Sequence, residues 1–137
     1  MEKQNSSLFD VIIDSNIEEL RQQAKNGDFD AMIELGGHIA DGHLTRKNEK
    51  LALTIFNYAL ENKDRIRSNP SLCNALIWKI QIIQDTDEAE AASLCIEVIR
   101  HITSLPIEHW SFDYLNSAIE WLECYKINCE TGNGSES

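Results

Sequence analysis

The stretch that decides the fold runs from Ala24 to Leu60, AKNGDFDAMIELGGHIADGHLTRKNEKLALTIFNYAL. Small residues recur along it at Gly27, Ala31, Gly36, Gly42, Ala52 and Ala59, and small residues on facing helices let two backbones approach closely. Gly27 suits the left-handed conformation that closes one helix, and the Asp28 carboxylate suits the free N–H groups that open the next. From there Met32, Leu35 and Ile39 keep helical spacing up to Gly42. A second pattern starts near Asn48 and runs to about Asn62, with Leu51, Ala52, Ile55, Phe56, Ala59 and Leu60 in a wide apolar stripe. Together they predict an antiparallel helix hairpin.

The order Ala31-x3-Leu35-Gly36-x2-Ile39-x2-Gly42-x5-Asn48-x3-Ala52-x3-Phe56-x2-Ala59 resembles the Sel-one-like repeat, a branch of the tetratricopeptide superfamily. The family's spacing is kept without a gap. The family usually carries an aromatic where Ile39 stands, a second Gly and a Val where Leu44 and Thr45 stand, and Asp where Asn48 stands. Ala24 and Gly27 fit the tail of a preceding repeat, and the match covers about a quarter of the chain. The resemblance implies a non-catalytic scaffold that binds other proteins or peptides, an analogy of fold rather than of site.

On either side of the hairpin the chain reads as further helix. Residues up to about Ser7 are expected to be loose, Leu8 to Ile13 to form a short helix, and Asn16 to cap a helix over Ile17 to Lys25. After the polar run ENKDRIRSN, Pro70 suits the first turn of a helix over about Ser71 to Gln84. That helix is apolar on every side and has Lys79 as its one charge, the pattern of a core element in which Trp78 packs. Asp85 with Glu88 reads as a capping box for a helix to about Ser104, with Ala92, Cys95, Ile96, Ile99 and Ile102 inward. Ile107 to Trp110 reads as a helical turn after Pro106. A last helix spans about Phe112 to Ile127, its buried stripe Phe112, Leu115, Ala118, Ile119, Leu122 and Tyr125. Residues 130–137 read as a disordered Gly/Ser-rich tail.

The fold class is therefore all-α, with no competing strand pattern. Hairpins recur at roughly 40 residues per pair, the length of a helical repeat. With the resemblance, this predicts a short right-handed α-solenoid of six or seven helices in one domain, residues 1–129.

At 137 residues, with 42% hydrophobic and 26% charged residues, the chain is long enough to bury a core without disulfides or metal. Its formal net charge of −11 disfavours nucleic acid and anionic membrane surfaces as partners. No run approaches the roughly 20 apolar residues of a membrane span, and the N-terminus does not read as a signal peptide. The expected location is the cytoplasm, with Cys73, Cys95, Cys124 and Cys129 as reduced thiols. The first three are expected as small apolar residues on helix faces.

Catalytic motifs do not emerge. There is no Gly-rich phosphate loop, no nucleophile elbow and no helical His pair of metal-binding spacing. His38 and His43, His101 and His109 read as surface or cap residues. No cofactor, metal site or enzyme activity is expected.

The acid is unevenly placed. Residues 1–84 carry 12 acidic and 10 basic residues, whereas residues 85–137 carry 11 acidic and 2 basic. In the last helix Asp113, Glu120 and Glu123 share one side, and Tyr114, Ser117, Trp121 and Cys124 form a line beside it. Aromatics at the margin of a charged surface have the composition of an interface. The expected partner-binding set is Trp110, Asp113, Tyr114, Glu120, Trp121 and Glu123, with Glu90 and Glu97 as outer charges and a basic protein as partner. Two functions fit: an immunity protein that occludes a basic toxin such as a nuclease, or an adaptor or secretion chaperone holding a client peptide in the solenoid groove.

Overall fold

Asp28 opens the central hairpin as its position suggests. Its Oδ1 accepts the Ala31 N–H at 3.1 Å, and the preceding Gly27 adopts φ +98°, in the left-handed region. Asn48 does the same for the second arm, accepting the Leu51 N–H at 3.1 Å. The computed structural model describes the backbone of residues 17–136 and the side chains of residues 17–125. Among the described residues there are six α-helices and no strand: α1 (Glu18–Lys25), α2 (Phe29–Asp41), α3 (Glu49–Glu61), α4 (Asn69–Ile83), α5 (Glu88–Thr103) and α6 (Phe112–Glu136). Short 3-10 turns stand at Lys63–Arg65 and Ile107–His109. The expected helix over Leu8 to Ile13 and the Asn16 cap lie outside the described residues.

Sequence neighbours pack on one another: α1 on α2, α2 on α3, and α5 on α6. This is the arrangement that a helical-repeat reading expects. The chain divides into two compact units, Met1–Trp78 and Lys79–Ser137, with the division falling inside α4.

In the first unit, α2 and α3 meet through Leu35, Ile39, Ala52, Ile55, Phe56 and Ala59, all essentially without solvent exposure. Each large side chain so buried contributes about 1.5–3 kcal/mol of hydrophobic stabilisation. Gly36 permits the close approach: a Cβ there would lie 2.7 Å from Phe56 Cε1. The loop between these arms is closed by backbone bonds, His43 N–H to the His38 carbonyl and Asn48 N–H to the Ile39 carbonyl, both 2.9 Å. Gly42 caps α2 at φ +75°. Leu44 follows at φ +67°, a left-handed conformation in a residue with a Cβ. That is the position where the Sel-one-like pattern carries Gly.

The chain leaving α3 is tied back to the start of α2. Arg67 donates its backbone N–H to Asp30 Oδ1 at 2.9 Å, and its Nη2 stands 3.5 Å from Asp28 Oδ2. Arg65 places its guanidinium 4.8 Å from the centre of the buried Phe29 ring, which also stacks on Tyr58 at 5.6 Å. In α1, bonds from Arg21 first and then Gln22 hold the Glu18 carboxyl down at about 2.

Pro70 sits in the first turn of α4, as expected, and Trp78 is half-buried, parallel to Phe56 with ring centres 6.4 Å apart. In the second unit the N-cap of α5 is Asp87, whose side chain accepts the Glu90 N–H, not Asp85. The two aspartates flank Thr86, and the cap falls on the one next to the helical residues. Its buried face is Ala91, Leu94, Cys95, Val98 and Ile102. Ala92 and Ile99 are only half-buried and Ile96 is exposed, so the inward face lies about one residue back from the expected one. Leu115, Ala118 and Tyr125 are buried on α6, and Tyr125 donates its hydroxyl to Gln84 Oε1 at 3.1 Å. The helix continues to Glu136, through the segment expected to be a disordered tail.

Candidate functional site

The second unit's charged surface is built on α6. Ser111 starts the helix by offering its Oγ to the Tyr114 N–H at 3.4 Å. Just before it, Trp110 donates its indole N–H to the Leu105 carbonyl at 2.7 Å and lies half-buried, 6.0 Å from the Phe112 ring. Trp110 therefore secures the connection from α5, and its polar atom is already engaged.

Along α6, Asp113, Glu120 and Glu123 are exposed, and none makes an ion pair among the described residues. Tyr114 and Trp121, seven residues apart, are half-buried along one margin of this acidic line. The other margin departs from expectation. Phe112 and Ile119, assigned to the buried stripe by their spacing, are 55% and 39% exposed. Buried Leu115, Ala118 and Tyr125 cluster on the far side of the helix, because a helix packed on one neighbour covers an arc narrower than its apolar residues span. The acidic line thus has an apolar residue row on each side, and the Phe112–Ile119 row is one that sequence reasoning placed indoors. Ile107, at 65% exposed, adds apolar surface in the turn before α6.

The two outer charges stand apart from this line, on α5. Glu90 is half-buried with its Oε2 3.6 Å from Lys79 Nζ, so it ties α5 to α4 rather than standing free. Glu97 is half-buried as well. Cys124 is exposed, contrary to the reading of it as an apolar helix-face residue, whereas Cys73 and Cys95 are buried and burial pushes both thiols up to about 11. Burial, more than the neighbouring charges, likewise raises Tyr125 to about 12.

The first unit holds a feature that no sequence motif announced, a cleft of about 610 Å3 between α2 and the start of α4. Glu34, His38 and Asp41 line it from α2, and Asn74 and Trp78 from α4. His43 lines it as well: its Nδ1 stands 3.0 Å from His38 Nδ1, with ring centres 5.0 Å apart and planes 26° from parallel. That geometry is a hydrogen bond between two ring edges, one nitrogen donating and the other accepting. The two histidines, read separately as surface residues, are thus a joined pair.

Among the described residues no three His, Cys, Asp or Glu side chains are grouped to hold a metal ion, and no helix is long and apolar enough to cross a membrane. Family models, curated proteins and solved structures offer no match to this chain.

Proposed function

We propose that this chain is a non-catalytic protein-binding module whose α6 surface covers a basic partner, acting in the cytoplasm as an immunity protein that occludes a toxin or effector domain, for instance a nuclease. The observation that carries the reading is the row of exposed carboxylates Asp113, Glu120 and Glu123 flanked by Phe112 and Ile119 on one side and Tyr114 and Trp121 on the other. Carboxylates steer a basic surface into place, and the apolar margins exclude water around it once docked. A nuclease holds phosphates with Lys and Arg, so a carboxylate row competes for the same groups. The resemblance of residues 24–60 to a Sel-one-like repeat supports the same class of function.

The test is capture from native host lysate at low and high salt, with the product of the neighbouring reading frame as the named candidate. Retention of one folded basic protein at low salt, its release at high salt, its loss with the Glu120→Lys/Glu123→Lys variant, and suppression of its toxicity by co-expression support the proposal. Retention unaffected by the double charge reversal removes this surface from consideration. A partner that is not toxic overturns the immunity reading.

A further inference from the structure

Among the described residues five large apolar side chains are left exposed, and four of them, Ile96, Ile107, Phe112 and Ile119, belong to the α5–α6 hairpin and its turn. Helical register gathers three of these, with half-buried Ile99, onto one face. On α5, Ile96 follows buried Cys95 and Ile99 follows buried Val98; on α6, Ile119 follows buried Ala118. One residue is a rotation of about 100° in the same sense about either axis. α5 and α6 pack together across a short connection and run antiparallel, so that rotation brings both rows out on the same side of the pair. Ile96 lies seven residues before the end of α5 at Thr103, and Ile119 seven after the start of α6 at Phe112, which sets the two at the same height. The opposite side of the pair is already occupied: Glu90, one step before buried Ala91, reaches Lys79 of α4 at 3.6 Å.

The two edges of this apolar face differ in charge. Along α6 it is bordered by the exposed carboxylates Asp113, Glu120 and Glu123, and along α5 by Ser93 and Arg100. An occupant that is apolar in the middle and basic on one flank complements both features. A second copy of the chain brings three carboxylates against one Arg and is a poor match. An extended segment is no better, because the backbone groups of α5 and α6 are engaged within their helices and leave its own N–H and C=O groups without partners. A helix satisfies its backbone internally, and Phe112 and Ile119, about 10 Å apart along α6, match residues two turns apart on such a partner.

We infer that this face takes an amphipathic helix of the partner, its apolar side chains on Ile96, Phe112 and Ile119 and its Lys or Arg residues over Asp113, Glu120 and Glu123. The inference rests on the reading of α6 as a partner-binding surface and gives that partner its local form.

The experiment titrates the full chain, labelled at its Ile methyl groups, with a blocked Ala/Leu/Lys peptide of about 14 residues, four turns of helix, whose Leu residues line one face and whose Lys residues line the adjoining flank. The expected result is saturable movement of the Ile96 and Ile119 methyl signals while those of Ile33 and Ile55, buried in the first unit, stay in place. Anisotropy of the labelled peptide is expected to show binding about 10-fold weaker in Ile96→Ser/Ile119→Ser and about 3- to 10-fold weaker in Glu120→Lys/Glu123→Lys. Glu120 and Glu123 are exposed, so the second variant reads the face even where the first perturbs the fold. Unmoved Ile96 and Ile119 signals, or equal binding of a peptide with the same residues in scrambled order or with Pro at its centre, overturn the inference. So does a dimer of the free chain that Ile96→Ser/Ile119→Ser abolishes, or Overhauser contacts from Leu8 to Ile13 onto these methyls, each of which gives the face another occupant. Capture of a toxin through Glu120 and Glu123 without binding of the peptide overturns the helix alone; binding of the peptide by a chain that captures no toxin overturns the toxin reading alone.

Discussion

The ring of Phe56 occupies the place that a side chain on Gly36 would take: a Cβ built on Gly36 stands 2.7 Å from Phe56 Cε1 and 3.0 Å from its Cζ. Alanine is the better helix former by about 1 kcal/mol, but forcing a methyl into this contact costs about 1–3 kcal/mol. Gly36→Ala is therefore expected to destabilise despite its propensity. In Gly36→Ala/Phe56→Leu the loss should be smaller than the sum of the single losses, because the smaller side chain clears the space. Urea denaturation of the four proteins measures the coupling, and strict additivity would sink the explanation.

Leu44 holds a backbone conformation that suits glycine, at φ +67°, and its side chain is 43% exposed. A left-handed residue with a Cβ costs about 1–2 kcal/mol, and glycine removes that strain while losing about 0.5–1 kcal/mol to its freer unfolded chain. Leu44→Gly should raise stability by a few tenths to about 1 kcal/mol, read as a higher melting temperature. Leu44→Val, branched at Cβ, should lower it.

The thiols should sort by burial. At pH 8 a maleimide is expected to modify Cys124 rapidly and to leave Cys73 and Cys95 unmodified until the protein unfolds, which mass spectrometry of peptides resolves. The two buried thiols titrate at about 11 instead of 9.0. In the unfolded chain they lose their protons first, so their contribution to stability is intact below pH 9 and declines as pH rises from 9 towards 11. Replacing both by Ala should flatten that alkaline decline.

Trp110 donates to the Leu105 carbonyl, and this bond predicts a structural effect where its composition suggested an interface role. Trp110→Phe keeps the ring contact and removes the donor, with an expected cost of about 1 kcal/mol. If instead stability is unchanged and partner capture falls, Trp110 acts in binding and not in securing the turn.

Where local chemistry decides, sequence and structure agree. Gly27, Asp28, Gly42 and Asn48 act through bonds made within three or four residues, so the hairpin and its caps were readable one residue at a time. Helix faces are different. On α5 the apolar residues Ala92, Ile96 and Ile99 share the helix with Ala91, Leu94 and Val98, and which set turns inward is set by what packs there, not by periodicity. The same holds for Phe112 and Ile119 on α6. The choice between Asp85 and Asp87 also escaped, because both offer the same carboxylate within a turn of the helix start. Of the candidate surface, the acidic line was legible in charge and spacing. The Lys79 partner of Glu90 and the cleft beside Gly37 were not, since each depends on residues from separate helices.

The packing of α1 on α2, α2 on α3 and α5 on α6, all neighbours along the chain, also bears on how the fold is reached. Contacts between α1 and α2, α2 and α3, and α5 and α6 join segments separated by short connections, so little chain must be ordered before each contact forms. Helical folds dominated by such local contacts are among the rapid folders, in microseconds to milliseconds. The unfolded chain then spends little time with its apolar helix faces open to self-association.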